Sequence, residues 1–138
     1  MLNDEIKNLR KDTKEAEKYF KKALAFTLGP VELKELAEKN NIKIIDVRDR
    51  ADYEIAHIPQ AISIPYMEIL NRLNELNKEE TTVVYCYNQQ CHLGLRACLK
   101  LADYGYPCMH LDGGFKVWQE DFRFATETLQ WRFIIPTG

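Results

Sequence analysis

Short apolar runs alternate with amphipathic stretches along most of this chain. Residues 3 to about 26 carry Ile6, Leu9, Ala16, Phe20 and Leu24 at spacings that fit one helical face, with Lys and Glu between them. That pattern predicts a charged helix packed on the domain as an appendage and ended by Gly29-Pro30. Residues 31–38 (VELKELAE) predict a short helix closed by Asn40-Asn41. Residues 42–47 (IKIIDV) predict a buried strand that runs out into Asp46, Arg48 and Asp49. Residues 51–55 predict a turn or two of helix, and residues 61–64 (AISI) a second strand between Pro59 and Pro65. Residues 67–76 predict a helix with Ile69, Leu70, Leu73 and Leu76 on its buried face.

The second half repeats the alternation. Residues 81–85 (TTVVY) predict a third strand, residues 93–103 a helix stopped by Gly105, and residues 107–111 (PCMHL) a fourth strand. Asp112-Gly113-Gly114 turns the chain into a helix over about 115–122. The tail carries Phe124, Leu129, Trp131, Phe133, Ile134 and Ile135, which is apolar enough to require packing on the domain or on a partner. The expected division is a helical extension over 1–28, one α/β domain over 29–124 and an apolar tail over 125–138. Strands alternating with helices imply parallel pairing and right-handed crossovers. Ligands in such sheets bind beyond the carboxyl ends of strands. The chemistry is therefore expected just after Val47, Tyr85 and Leu111.

Composition narrows the function classes. The 138 residues suit one core, and 46% hydrophobic with 29% charged residues is ordinary for a globular domain. A formal net charge of −2 gives no strong pull toward nucleic acid or an anionic membrane. No apolar run approaches the roughly 20 residues that span a bilayer. The charged N-terminus lacks a secretory h-region, so a cytoplasmic location is expected. The four cysteines, Cys86, Cys91, Cys98 and Cys108, all fall between positions 86 and 108, which suits buried, catalytic or metal-binding thiols better than a disulfide framework.

The segment from Val83 to Arg96 (VVYCYNQQCHLGLR) is the most informative. A buried strand ends in Cys86, a polar loop follows, and a helix starts near Leu93. A thiol there faces backbone N–H groups and the positive end of a helix dipole, both of which favour an anion. Such a field lowers a cysteine pKa and holds the charge of a persulfide without a metal or a general base. In the loop, Tyr87, Asn88, Gln89 and Gln90 are expected to act through their N–H groups more than their side chains.

Further residues carry a family resemblance. Ile44-Ile45-Asp46-Val47-Arg48, then Tyr53, Ala56-His57-Ile58-Pro59-Gln60-Ala61 and Ile64-Pro65, resemble the first signature of the rhodanese superfamily. Val83-Val84-Tyr85-Cys86, Gly105-Tyr106, Leu111-Asp112-Gly113-Gly114-Phe115 and Trp118 resemble the second. The match covers about residues 31–122. It implies a parallel α/β sheet of about five strands with helices on both faces. It also implies sulfur transfer from a donor such as thiosulfate to a thiol or cyanide, through a persulfide on Cys86. Asp46 and Arg48 match positions that brace the loop region in the family. Ala56 stands where the family usually has Gly before His57, and Gln60 likewise replaces a Gly. The active-site loop departs more. It is about two residues longer than usual and has no basic residue before His92 and Arg96. Less fixed positive charge greets a dianion, which favours a larger acceptor or a protein thiol.

Individual residues keep several readings. Cys91 is a resolving thiol, the nucleophile itself, or incidental, with strand position favouring Cys86 as nucleophile. His92 either turns toward the loop or caps the helix facing solvent. Arg96 neutralises a bound anion or pairs with a carboxylate. His57 and His110 read as structural, and Cys98 and Cys108 as buried apolar residues. Cys86, Cys91, His92 and Cys108 have the residue types for zinc but no C-x-x-C pair, so neither metal nor cofactor is expected. A phosphatase would need Cys-x5-Arg, but His92 is the sixth residue after Cys86 and Arg96 is only five after Cys91. A non-catalytic docking module, using the N-terminal helix and aromatic tail, is the remaining alternative. The expected partners are a small sulfur donor (thiosulfate or a persulfide) and a thiol acceptor. The apolar tail leaves a homodimer open.

Overall fold

The computed structural model describes residues 2–39 and 42–129. The N-terminal periodic stretch is two helices, α1 (Leu2–Lys11) and α2 (Thr13–Phe26), where one was expected. Asp12 divides them: its carboxylate accepts the Glu15 N–H at 3.2 Å and so caps α2. Ile6, Leu9, Ala16, Tyr19 and Phe20 meet around a 460 Å³ depression between the two helices. α2 meets the domain at the strand Cys108–Leu111 through its C-terminal end, where Phe26 lies beside Leu95, Leu99 and His110. Leu9 is 61% exposed and Leu24 78%, so the apolar face of this hairpin is largely open.

Thr27–Leu28 leaves α2 as a strand, β1, where the sequence pattern showed only a helix end. The two residues pair in parallel with His110 and Leu111, too short a run for any period to register. Gly29 is then the N-cap of α3 (Pro30–Glu38), and Pro30 occupies its first turn, where the missing N–H costs nothing. The proline starts a helix here, whereas the sequence reading had it end one.

The remaining strands are β2 (Lys43–Asp46), β3 (Ile62–Ser63), β4 (Thr82–Tyr85) and β5 (Cys108–Leu111), each shorter than its apolar run by one to two residues. All pair in parallel in the order β1-β5-β4-β2-β3. α4 (Arg50–Ile55) follows β2, and α5 (Leu93–Asp103) joins β4 to β5. Residues 67–76 are not one α-helix but two 3₁₀ segments, Tyr66–Asn71 and Leu73–Glu75. Arg72 breaks them apart and pairs with both Glu68 and Glu75. After β5, Gly113 and Gly114 take positive φ, and α6 (Gly114–Lys116) passes into a π-helical turn, Val117–Asp121.

Alternation along β4 splits the core into two layers. Val83 and Tyr85 face a cluster with Leu28, Leu33, Ile44, Ile58, Phe115 and Trp118. Val84 and Cys86 face the other, with Ile45, Ile64, Ile69, Ala97 and Leu101 beneath α5. Phe124 and Leu129 pack against the first cluster, as the apolar tail required. Trp131, Phe133, Ile134 and Ile135 lie outside the described residues.

Stability should therefore reside in the sheet domain. Leu33→Ala removes a fully buried side chain and should cost about 2–5 kcal/mol in urea unfolding. Leu24→Ala should stay within about 0.5 kcal/mol. Equal losses would contradict this division.

Candidate active site

Strand β4 is the central support of the site. It delivers Cys86 beneath the first turn of α5, and the 87–92 loop covers it. Cys86 is fully buried, and its thiol donates to the Cys91 carbonyl oxygen at 3.3 Å. Cys91 is only half-buried. The N–H groups of Tyr87 and Gly94 act on both thiols and favour their charged forms. The Leu93 N–H serves Cys91 alone among the groups that hold it.

This arrangement separates the two sulfurs electrostatically. Burial first, and the Cys91 sulfur second, push the Cys86 thiol up to about 11. Partial burial also opposes ionisation of Cys91. The Cys86 thiol and the amides of Leu93, Tyr87 and Gly94 outweigh it and hold Cys91 below the ordinary thiol value. Burial thus opposes charge at Cys86, where the sequence placed the thiolate, and the amides favour it at Cys91. The 87–92 loop brings the Cys91 carbonyl to 3.3 Å from the Cys86 sulfur, which is fully buried.

The loop is pinned by side chains. Asn88 Oδ1 accepts the N–H groups of Gln90 and Cys91, both at 3.0 Å. Those two amides are therefore turned away from sulfur, a correction to the expectation that side chains matter little here. Tyr87 donates to Asp52 Oδ2 at 2.5 Å and accepts the Asp49 N–H at 3.2 Å, tying the loop to α4. Gln89, Gln90 and His92 are exposed. His92 occupies the N-cap of α5 without a side-chain capping bond. Arg96 is exposed on α5, and among the described residues no carboxylate pairs with it, so the salt bridge anticipated from sequence is absent.

Behind the loop, Asp46 and Arg48 form a buried pair at 2.8 Å. Arg48 also donates to the Ala56 carbonyl at 2.6 Å, and its guanidinium lies 4.2 Å from the Phe115 ring centre and 5.7 Å from that of Tyr87. The pair thus braces the loop through aromatic rings and without touching sulfur. Loss of one partner would leave an uncompensated buried charge, at a cost of about 3–5 kcal/mol. His57 is structural: Nδ1 meets the Tyr53 carbonyl at 2.7 Å and the ring stacks on Tyr53 at 3.7 Å.

Two features escaped sequence reading. Gly114 has φ of 63°, and a Cβ there would stand 2.7 Å from the Asn88 nitrogen and 2.8 Å from the Cys86 oxygen. Its turn lets Phe115 and Lys116 donate to the carbonyls of Cys86 and Tyr87, at 2.8 and 2.9 Å. The Gly-Gly turn was thus visible as a turn, but not as the clamp on the cysteine loop. The second feature is His110, which is 8% exposed and whose Nε2 has no partner. A Cβ at Gly94 would meet this nitrogen at 2.4 Å and the Cys86 sulfur at 3.4 Å, so Gly94 keeps the space between them open. Among the described residues, no three His, Cys, Asp or Glu side chains converge on a metal-sized space, and no helix is long and apolar enough to cross a membrane.

A five-stranded parallel sheet that ends its central strand in a thiol under an amide-lined loop defines an α/β protein of the cysteine-loop kind. The rhodanese-like domain model matches residues 29–121, and the chain belongs to that family. Its relatives include the thiosulfate sulfurtransferase GlpE of Coxiella burnetii (strain RSA 493 / Nine Mile phase I), 31% identical over 67% of this chain and 85% of that protein. The HTH-type transcriptional regulator Rv0324 of Mycobacterium tuberculosis is 34% identical over 64% of this chain. The matched part spans 39% of that regulator's length. Among solved structures, the BH2092 protein of Bacillus halodurans superposes with a TM-score of 0.80 at 30% identity, covering 86% of this chain and 88% of that one.

The two loop thiols should differ in reactivity. A depressed pKa means that the Cys91 thiolate is present above its lowered value and is lost as pH falls through it. Iodoacetamide at neutral pH should alkylate Cys91 first, and Cys86 only as pH approaches about 11. Peptide mass spectrometry that found Cys86 modified first would contradict this order.

Proposed function

We propose that the protein is a sulfurtransferase that carries sulfane sulfur as a persulfide on the Cys86–Cys91 pair. Its membership of the rhodanese-like family and its likeness to relatives named thiosulfate sulfurtransferase support the reaction class. The resemblance assigned the carrier to Cys86. The observation that carries the present reading is a half-buried Cys91 beside a fully buried Cys86, whose thiol donates to the Cys91 carbonyl.

In this scheme the Cys91 thiolate attacks the outer sulfur of a donor such as thiosulfate. The new S–S bond leaves a persulfide on Cys91 and releases sulfite. The amides of Tyr87, Leu93 and Gly94, which favour negative charge at Cys91, support the charge of its persulfide. An acceptor thiolate then takes the outer sulfur and restores Cys91. Without an acceptor, the Cys86 thiol displaces the outer sulfur as hydrogen sulfide and leaves a Cys86–Cys91 disulfide. Among the described residues of the 87–96 segment the basic side chains are Arg96 and His92, both exposed, and this sparse positive charge favours a thiol or persulfide substrate over a small dianion. Delivery to a docked protein is a second reading, favoured by the open apolar face of the N-terminal hairpin at Leu9, Tyr19, Phe20 and Leu24.

Thiosulfate:cyanide turnover with serine variants tests the assignment. Cys91→Ser should lower activity more than about 100-fold. Cys86→Ser keeps a hydroxyl donor and should cost about tenfold or less. The reverse pattern would return the carrier to Cys86, and two unaffected variants would remove sulfur transfer from this pair.

A further inference from the structure

A second pair of thiols lies outside the cysteine loop. Cys98 is on α5, one turn beyond Gly94, and Cys108 opens β5. Sequence reading made both of them buried apolar residues. They are instead half-buried and free, and both open onto one 340 Å³ depression. The Cys108 thiol donates to the Cys98 carbonyl at 3.4 Å, which brings the two cysteines side by side. The Cys98 sulfur stands 3.9 Å from the Met109 carbonyl.

The depression's other walls are Phe26, Leu95, Leu99 and His110, with Thr27 and Ala102 at its margin. Leu95, Leu99 and Phe26 are exposed, so the thiols are open to a small reagent from the apolar side. His110 is more than nine-tenths buried and has an unpartnered Nε2. Burial holds it below the ordinary histidine value, and Asp112 offsets this only in part. A neutral base thus lines the same space as the two sulfurs.

We propose that Cys98 and Cys108 are a second redox site, oxidised by a hydroperoxide to a disulfide that staples α5 to β5. The chemistry balances within the pair. One thiol, as its thiolate, attacks the peroxide O–O bond, becomes a sulfenic acid and releases an alcohol or water. The other thiol displaces the sulfenic hydroxyl as water, forming the S–S bond. Two thiols lose two electrons, which the peroxide gains. The pair supplies both reactants for this sequence. Cys98 acts on Cys108 by hydrogen bonding, outweighs its burial and holds it below the ordinary thiol value. Cys108 in turn, together with burial, pushes Cys98 up.

Trypsin separates the two redox pairs cleanly. Cleavage after Lys78, Arg96, Lys100 and Lys116 places Cys86 and Cys91 together in peptide 79–96, Cys98 in 97–100 and Cys108 in 101–116. The full chain is treated with hydrogen peroxide, blocked with iodoacetamide and digested without reductant. The expected product is peptide 97–100 joined to 101–116, about 2 Da below their sum. Full alkylation of both peptides after peroxide, or sulfinic acid on either without the link, would overturn the proposal. The same treatment of Cys91→Ser separates this site from the sulfurtransferase reading. The link should form there undiminished, and its loss would mean that the loop pair oxidises these thiols by exchange.

Discussion

A sulfur anion at the end of a buried strand is stable only where backbone N–H groups have no other acceptor. That constraint organises this protein. The first turn of α5 has free amides because helices leave them free, and β4 brings a sulfur up to them. The loop decides which sulfur receives them. Asn88 takes the amides of Gln90 and Cys91, while those of Tyr87, Leu93 and Gly94 remain for the thiols. Enclosure then separates the pair. Burial without water disfavours charge at Cys86, and partial exposure permits it at Cys91.

The rest of the domain serves the position of that loop. Gly113 and Gly114 let α6 approach closely enough to hold the carbonyls of Cys86 and Tyr87. Arg48 sits between Asp46 and three aromatic rings, one of them Tyr87, and ties the end of β2 to the loop. Tyr87 reaches Asp52 on α4. Elements on either side of β4 therefore converge on six residues, although none of their side chains touches sulfur.

Much of this was legible in the sequence. The long apolar strands and α5 follow from period and composition, and the position of the cysteine loop follows from their order. The parts that were not legible have local causes. Asp12 interrupts a helical period without altering it, so only cap geometry reveals two helices. β1 is two residues long and exists through pairing with β5, a tertiary contact that no local pattern encodes. The enclosure of Cys86 and the partial exposure of Cys91 are set by how the 87–92 loop folds back on β4, which no local pattern encodes. His110 reads as an ordinary strand residue because its unpartnered nitrogen depends on the absence of a side chain at Gly94.

The site of sulfur attachment tests the central claim most directly. After brief treatment with thiosulfate, alkylation of the outer sulfur and proteolysis, fragmentation of peptide 79–96 locates the added mass of about 32 Da. The account expects it on Cys91, with Cys86 unmodified. A persulfide found on Cys86 while Cys91 stays a free thiol would contradict it.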